Sequence, residues 1–241
     1  MTNLKRKGQA RVLVVQNYDN TGLGQVGFAL AEAGAELDLR VAHRGDSLPV
    51  DASGHDAAII LGGGQNALAD ADYPYIPALL DLIRDFDRRD RAMLGICLGS
   101  QLMARAFGGT NQIGGASEFG WQRVVLTEAA REDPVLGGLP GEFPIFQWHD
   151  DTFSLPPGVA HLASSAVAAN QAFRVGRAGY AVQFHFEADC ALVREWNGLF
   201  ADYLAGRQPD WAKRHAVEEQ RLGPEADAVG LAIARAWTRQ I

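Results

Sequence analysis

Ala92-Met93-Leu94-Gly95-Ile96-Cys97-Leu98-Gly99-Ser100-Gln101 decides how this chain folds. Residues 92–96 form a short apolar run that reads as a buried strand. Residues 102–107 read as a helix with an apolar face, closed by Gly108-Gly109. A strand that turns so directly into a helix must reverse within a few residues. Glycines two before and two after Cys97 remove the Cβ atoms that would clash in such a turn. The pattern is a nucleophile elbow with cysteine in place of serine. It points the thiol out of the sheet and sets the sulfur at a helix N-terminus, where the dipole favours thiolate. It also aims the backbone N–H of Leu98 at an oxyanion formed on a substrate carbonyl. A free cysteine is ordinarily a small buried hydrophobe. Two glycines that weaken both strand and helix serve no purpose at a plain core position.

Working outward, Arg11-Val12-Leu13-Val14-Val15-Gln16 is nearly continuous and β-branched, as in a central parallel strand. Residues 28–33 read as a helix ended by Gly34, residues 37–41 and 57–61 as strands, and residues 77–88 as an amphipathic helix. Strands alternating with helices at this spacing predict a three-layer, doubly wound, mostly parallel α/β sheet, with its site at the carboxyl ends of the strands. Residues 62–64, all glycine, and Cys97 both fall at such ends. Residues 110–173 carry short strands around Val124, Ile145 and His161 and read as a more antiparallel edge. The chain returns to the core at residues 181–187, followed by a helix over 189–204. Gln208-Pro209 and Gly223-Pro224 read as breaks, with Pro224 in the first turn of a last helix. The organisation expected is a disordered basic tail over 1–10, one domain over 11–206, and a helical extension over 207–241 lying outside the catalytic core.

The 241 residues are 47% hydrophobic and 21% charged, as in a soluble enzyme. With 29 acidic and 22 basic residues the net charge is −7, which argues against a nucleic-acid partner. Lys5, Arg6 and Lys7 precede no apolar stretch, so a signal peptide is not expected, and no run is long enough to span a membrane. Two cysteines, Cys97 and Cys190, exclude a disulfide scaffold and point to a cytoplasmic location.

A thiolate nucleophile needs a base, and the base an orienting group. His185 and Glu187, two apart in an expected strand, lie on one face, so the carboxylate stands beside the imidazole. His149, in Trp148-His149-Asp150-Asp151 after another strand, competes for the same role. No further set of ligands accompanies His185, so no metal is expected, and no other cofactor. Gly22-Leu23-Gly24-Gln25-Val26-Gly27 fits G-x-G-x-x-G, but residues 17–21 separate it from the strand and no ribose-binding acid follows clearly, so nucleotide binding is disfavoured.

Gly95-Ile96-Cys97-Leu98-Gly99-Ser100-Gln101 with a later His185-Phe186-Glu187 resembles the class I, triad-type glutamine amidotransferases, above all the stand-alone relatives of the GMP synthase glutaminase domain. The resemblance covers residues 11–204 and includes Phe119-Gly120-Trp121 and Asn170-Gln171-Ala172-Phe173. It implies a flavodoxin-like fold, with Cys97 as nucleophile, His185 as base and acid, and Glu187 as orienter. It implies an oxyanion hole of Leu98 with Gly63 and Gly64, and substrate contacts from Gln101, His149 and Asp151. Where many relatives carry proline, this chain has Gly64 and Phe186, and Asp150 stands at a usual glycine.

The activity so implied is hydrolysis of the glutamine side-chain amide through a Cys97 γ-glutamyl thioester, the ammonia passing to a separate synthetase subunit. Two alternatives stand beside it, a free-standing γ-glutamyl peptide or amine hydrolase and a non-catalytic regulatory subunit. Homo-oligomerisation is left open. The glycine loop at 62–64 predicts a mobile oxyanion donor, hence low activity until a partner orders it.

Overall fold

Apolar, β-branched segments set the centre of a nine-stranded sheet. In the computed structural model, which describes residues 8–241, β1 (Arg11–Gln16) leads to α1 (Gly24–Glu32), β2 (Glu36–Val41), β3 (Ala57–Ile60), α2 (Ile76–Arg88), β4 (Ala92–Ile96) and α3 (Leu98–Ala106). There follow β5 (Asn111–Gln112), β6 (Glu118–Leu126), β7 (Glu142–His149), β8 (Thr152–Phe153), β9 (Ala160–Ser165) and β10 (Ala172–Val175). The chain then returns through β11 (Gly179–Val182) to α4 (Cys190–Leu199), α5 (Ala201–Arg207) and α6 (Trp211–Thr238). Most of the expected basic tail, residues 1–7, lies outside the described residues.

The strand order is β2-β1-β3-β4-β11-β10-β9-β6-β7. From β2 to β11 the pairings are parallel, with Ile60 opposite Gly95 and Ile96 opposite Val182. From β11 outward they are antiparallel. Successive strand residues face opposite ways. Val12, Val14, Ile59 and Leu94 accordingly join one core with Leu30 of α1 and Ile233 of α6. Leu13, Val15, Ala58 and Met93 join another with Ile83 of α2 and Leu102 of α3. These are the three layers of the doubly wound fold. The carboxyl ends of β1, β3, β4 and β11 deliver residues 17, 61–64, 97 and 183–187 to one edge.

Three local expectations are corrected. His185 and Glu187 are not in a strand. β11 stops at Val182, and His185 makes an isolated antiparallel bridge to Phe146 through its N–H and the Phe146 carbonyl, 2.8 Å apart. Its parallel neighbour β4 ends at the elbow, and the segment's next backbone bonds are from the Gln183 N–H to the Gln171 carbonyl and then from His185 to Phe146 of β7. The helix expected over 189–204 is two, parted at Phe200. The last helix starts at Trp211 and runs through Pro224.

Proline inside a helix costs about 3 kcal/mol. Burial of Val229, Ile233 and Trp237 offsets that, at roughly 1.5–3 kcal/mol per large side chain. Nor does α6 lie outside the core. Trp237 is wholly buried and its Nε1–H donates to the Met93 carbonyl of β4 at 3.0 Å. Gly230 rests on the Phe186 carbonyl, where a Cβ would collide. Among the described residues no helix is long and apolar enough to cross a membrane.

Candidate active site

Cys97 holds φ 52° and ψ −111°, a conformation that non-glycine residues rarely adopt. Its surroundings enforce it. The Cys97 N–H donates to the Val182 carbonyl at 2.9 Å, and its carbonyl accepts from the Ser100 N–H at 2.9 Å and the Ser100 Oγ at 2.7 Å. A Cβ on Gly95 would meet the Gly99 backbone, and one on Gly99 would meet the Ile60 carbonyl, so the elbow closes only with both glycines. The thiol is nearly buried, 3.7 Å from the Trp148 carbonyl, and it lines the same cleft as His185.

His185 Nδ1 lies 2.7 Å from Glu187 Oε1, which leaves Nε2 for the thiol. Burial opposes charge on the imidazole, but the Glu187 carboxylate and the Cys97 sulfur outweigh it and hold His185 well above its ordinary pKa. Glu187 is fixed through its backbone. The Gln25 N–H, in the first turn of α1, donates to the Glu187 carbonyl at 2.9 Å, and Gln25 Nε2 donates to the Phe186 carbonyl at 3.1 Å. Gly24, at φ +45°, has no room for a Cβ against the Glu187 carbonyl. The glycine motif at 22–27 is a clasp on the Glu187 segment.

Gly63 and Gly64 line the cleft beside Cys97, and the N–H of Leu98 belongs to the first turn of α3, which has no intrahelical acceptor. The loop is pinned at both ends. Asn17 Nδ2 donates to the Leu61 carbonyl at 2.7 Å, and Gln65 Nε2 donates to the Asn17 carbonyl at 2.6 Å and the Tyr75 hydroxyl at 2.9 Å. None of the three glycines has φ in the left-handed region. These anchors argue against the mobile loop expected from composition.

Gln101, His149 and Asp151 do not line the cleft. Gln101 Nε2 donates to the Gln183 side chain at 3.2 Å and to the Asp151 carbonyl at 3.4 Å. His149 Nδ1 is 3.0 Å from that same carbonyl. His149 Nε2 stands 3.3 Å from Glu118 Oε2, close enough for charge pairing but misaligned for a hydrogen bond. Glu118 in turn accepts from Gln171 and Ser165. This buried polar layer at the end of β7 holds His149 away from the base position. Cys190 is a free, buried thiol pushed up to about 12 by burial, with Asp227 adding to the effect. Among the described residues no cluster of three or more histidine, cysteine or carboxylate side chains is placed to hold a metal ion.

The cleft above Cys97 has a volume of about 300 Å³. Besides Cys97, His185, Gly63 and Gly64, it is lined by Tyr18, Asn20, Thr21, Tyr73, Trp148, Trp196, Phe200 and Tyr203. None of these eight was assigned a role in the site from sequence. Trp196, Phe200 and Tyr203 do stand at helical spacing, but such a stripe reads as core until a cavity is seen beside it.

Residues 18–193 match the model of the family described as glutamine amidotransferase class-I. The chain belongs to this family. It is 35% identical over 169 residues to the glutamine-hydrolysing GMP synthase of Thermus thermophilus, covering 67% of this chain and 31% of that protein. The chain thus spans about a third of such GMP synthases. A glutamine-hydrolysing GMP synthase subunit of Haloarcula marismortui is 32% identical over 81% of this chain and 94% of its own length. A glutamine amidotransferase structure from Methylobacillus flagellatus superposes with a TM-score of 0.83 at 28% identity, covering 97% of this chain and 96% of that one. The fold is therefore that of class I amidotransferases along nearly the whole chain, α6 included.

Proposed function

We propose that this chain is a glutaminase subunit that cleaves the side-chain amide of glutamine through a thioester on Cys97. His185 takes the thiol proton and Sγ attacks the γ-carbonyl carbon. The oxyanion is met by the N–H groups of Leu98 and the loop of Gly63 and Gly64. Collapse breaks the C–N bond, and His185 gives its proton to the departing nitrogen. Water then attacks the thioester with His185 as base, freeing glutamate and the thiol. Glu187 holds the ring in register and stabilises its cationic form.

One observation carries this reading: a thiol on a strained elbow beside an imidazole that a buried carboxylate holds at 2.7 Å. The Haloarcula relative is named as one subunit of its enzyme, which supports delivery of the ammonia to a synthetase on another chain. The test is acid-quenched mass spectrometry with glutamine alongside steady-state ammonia release. A γ-glutamyl adduct on the peptide of Cys97, absent in Cys97→Ala, is expected, with turnover lost in His185→Ala. Ammonia release that survives Cys97→Ala would end the proposal.

A further inference from the structure

The cleft is larger and more aromatic than the removal of ammonia requires. Its volume, about 300 Å³, is at the lower end of cavities that take drug-sized molecules, ~300–1,000 Å³. Six of its lining side chains are aromatic, and none is lysine, arginine, aspartate or glutamate. The aromatic groups on the side of α4 and α5 are joined into a wall. The Trp148 ring meets Phe200 edge-on at 5.4 Å and Trp196 edge-on at 5.9 Å, and lies 6.3 Å from Tyr203. The wall reaches the reacting groups, because Trp196 also meets the His185 ring edge-on at 5.3 Å.

The wall is tied down at its outer end. Asp150, at the position where glycine is usual, accepts from Ser117 Oγ at 2.6 Å and from Arg207 Nη2 at 2.6 Å. Arg207 ends α5 and stands 6.0 Å over the Tyr203 ring. The clip ties α5, which carries Tyr203 and follows Phe200, to the residue just after β7, the strand that carries Trp148. At the wall's inner end Trp196 packs on His185, which in the proposed mechanism gives its proton to the departing nitrogen, so the wall begins beside the leaving group.

We infer that Trp148, Trp196, Phe200 and Tyr203 form a leaving-group subsite, and that beside glutamine the site takes γ-glutamyl amides of aromatic or aralkyl amines. The inference rests on the thioester reading above and concerns only the group on nitrogen. The chemistry is unchanged. Cys97 Sγ bonds to the γ-carbon, the C–N bond breaks, the amine leaves with the proton from His185, and one water releases glutamate. A ring on the amine gains edge-to-face contacts and displaces water from aromatic surface. A second cationic group on the amine would meet no carboxylate among the lining residues.

The test compares three substrates on the full chain by glutamate release: γ-L-glutamyl benzylamide, γ-L-glutamyl methylamide, and γ-L-glutamyl 2-aminoethylamide. Benzylamide and methylamide are both alkyl amides and differ by the ring. The inference expects kcat/KM for the benzylamide to exceed that for the methylamide by about tenfold or more. Tyr203→Ala, and separately Phe200→Leu, should shrink that ratio at least about threefold. Equal rates, rejection of the benzylamide, or preference for the aminoethylamide would each overturn it while the thioester reading stands. Failure of all three and of glutamine, with no adduct trapped on Cys97, would overturn the thioester reading and this inference with it.

Discussion

Glu187 gives one carboxylate oxygen to His185 and leaves the other, Oε2, buried with no protein hydrogen bond. A carboxylate so placed acts on the imidazole by its charge as well as by orientation. Negative charge beside the ring stabilises the imidazolium, so the raised His185 pKa moves the loss of its proton to higher pH. In the proposed mechanism the leaving nitrogen needs that proton, so the alkaline limb of kcat/KM is expected to report its loss in the free enzyme. Glu187→Gln keeps the shape and removes the charge. It is expected to shift the alkaline limb toward lower pH and to reduce kcat. A pH–rate profile checks this, and an unmoved limb would show that Glu187 only orients the ring. The elbow at Cys97 was legible in the sequence because its glycine spacing is a local signal, whereas the approach of Glu187 to His185 was expected from a strand that ends before them, at Val182. His149 was not distinguishable there. Its burial against Glu118 comes from β6 pairing with β7, which no local pattern around residue 149 announces.

The loop after β3 is the proposed oxyanion loop, and composition alone misdescribed its freedom. Three glycines in a row suggest freedom, yet Asn17 and Gln65 stitch the loop to the end of β1 and to Tyr75. Those contacts join residues 44, 48 and 58 positions apart, so they are invisible to a reading of neighbours. Gln65→Ala removes the hydrogen bonds to the Asn17 carbonyl and the Tyr75 hydroxyl. Loss of an oxyanion donor costs about 10²–10³ in kcat. Loosening the loop is expected to cost part of that, roughly tenfold, with KM little changed. Steady-state kinetics on glutamine measures it. An unaltered kcat would mean that the network does not position the donors. The same anchoring predicts turnover by the isolated chain without a partner to order the loop. The strands around the elbow were legible for the converse reason. Buried parallel strands are continuous apolar runs, and their signal is contained within them. The segment 183–187 looked like such a strand, and only the distant Phe146 carbonyl shows why it is not one.

Across the whole molecule α6 links features far apart in the chain. Its first turn brings Trp211 within 4.8 Å of the Phe119 ring and 5.8 Å of the Trp121 ring, behind the aromatic wall. Its middle rests Gly230 on the Phe186 carbonyl, one residue from His185 and from Glu187. Its end buries Trp237 against β4, four residues before Cys97. The helix is thus one wall of the core that supports both reacting segments. Its extent was hard to read because Pro224 and Gly223 form a break signal that tertiary burial overrides. Trp237→Ala removes a fully buried ring and leaves the Met93 carbonyl without its indole donor, and is expected to destabilise by about 3–5 kcal/mol. Trp237→Phe keeps most of the volume and is expected to cost less, with about 1 kcal/mol from the hydrogen bond. Urea unfolding at equilibrium gives both values. A chain ended after Gly206 would expose the α1, β4 and β7 surfaces that α6 covers, and is expected to lose cooperative unfolding altogether. If that shorter chain unfolds in one transition, with the midpoint of the full chain and the slope expected for its smaller buried surface, α6 is an appendage and its packing contributes little to the fold.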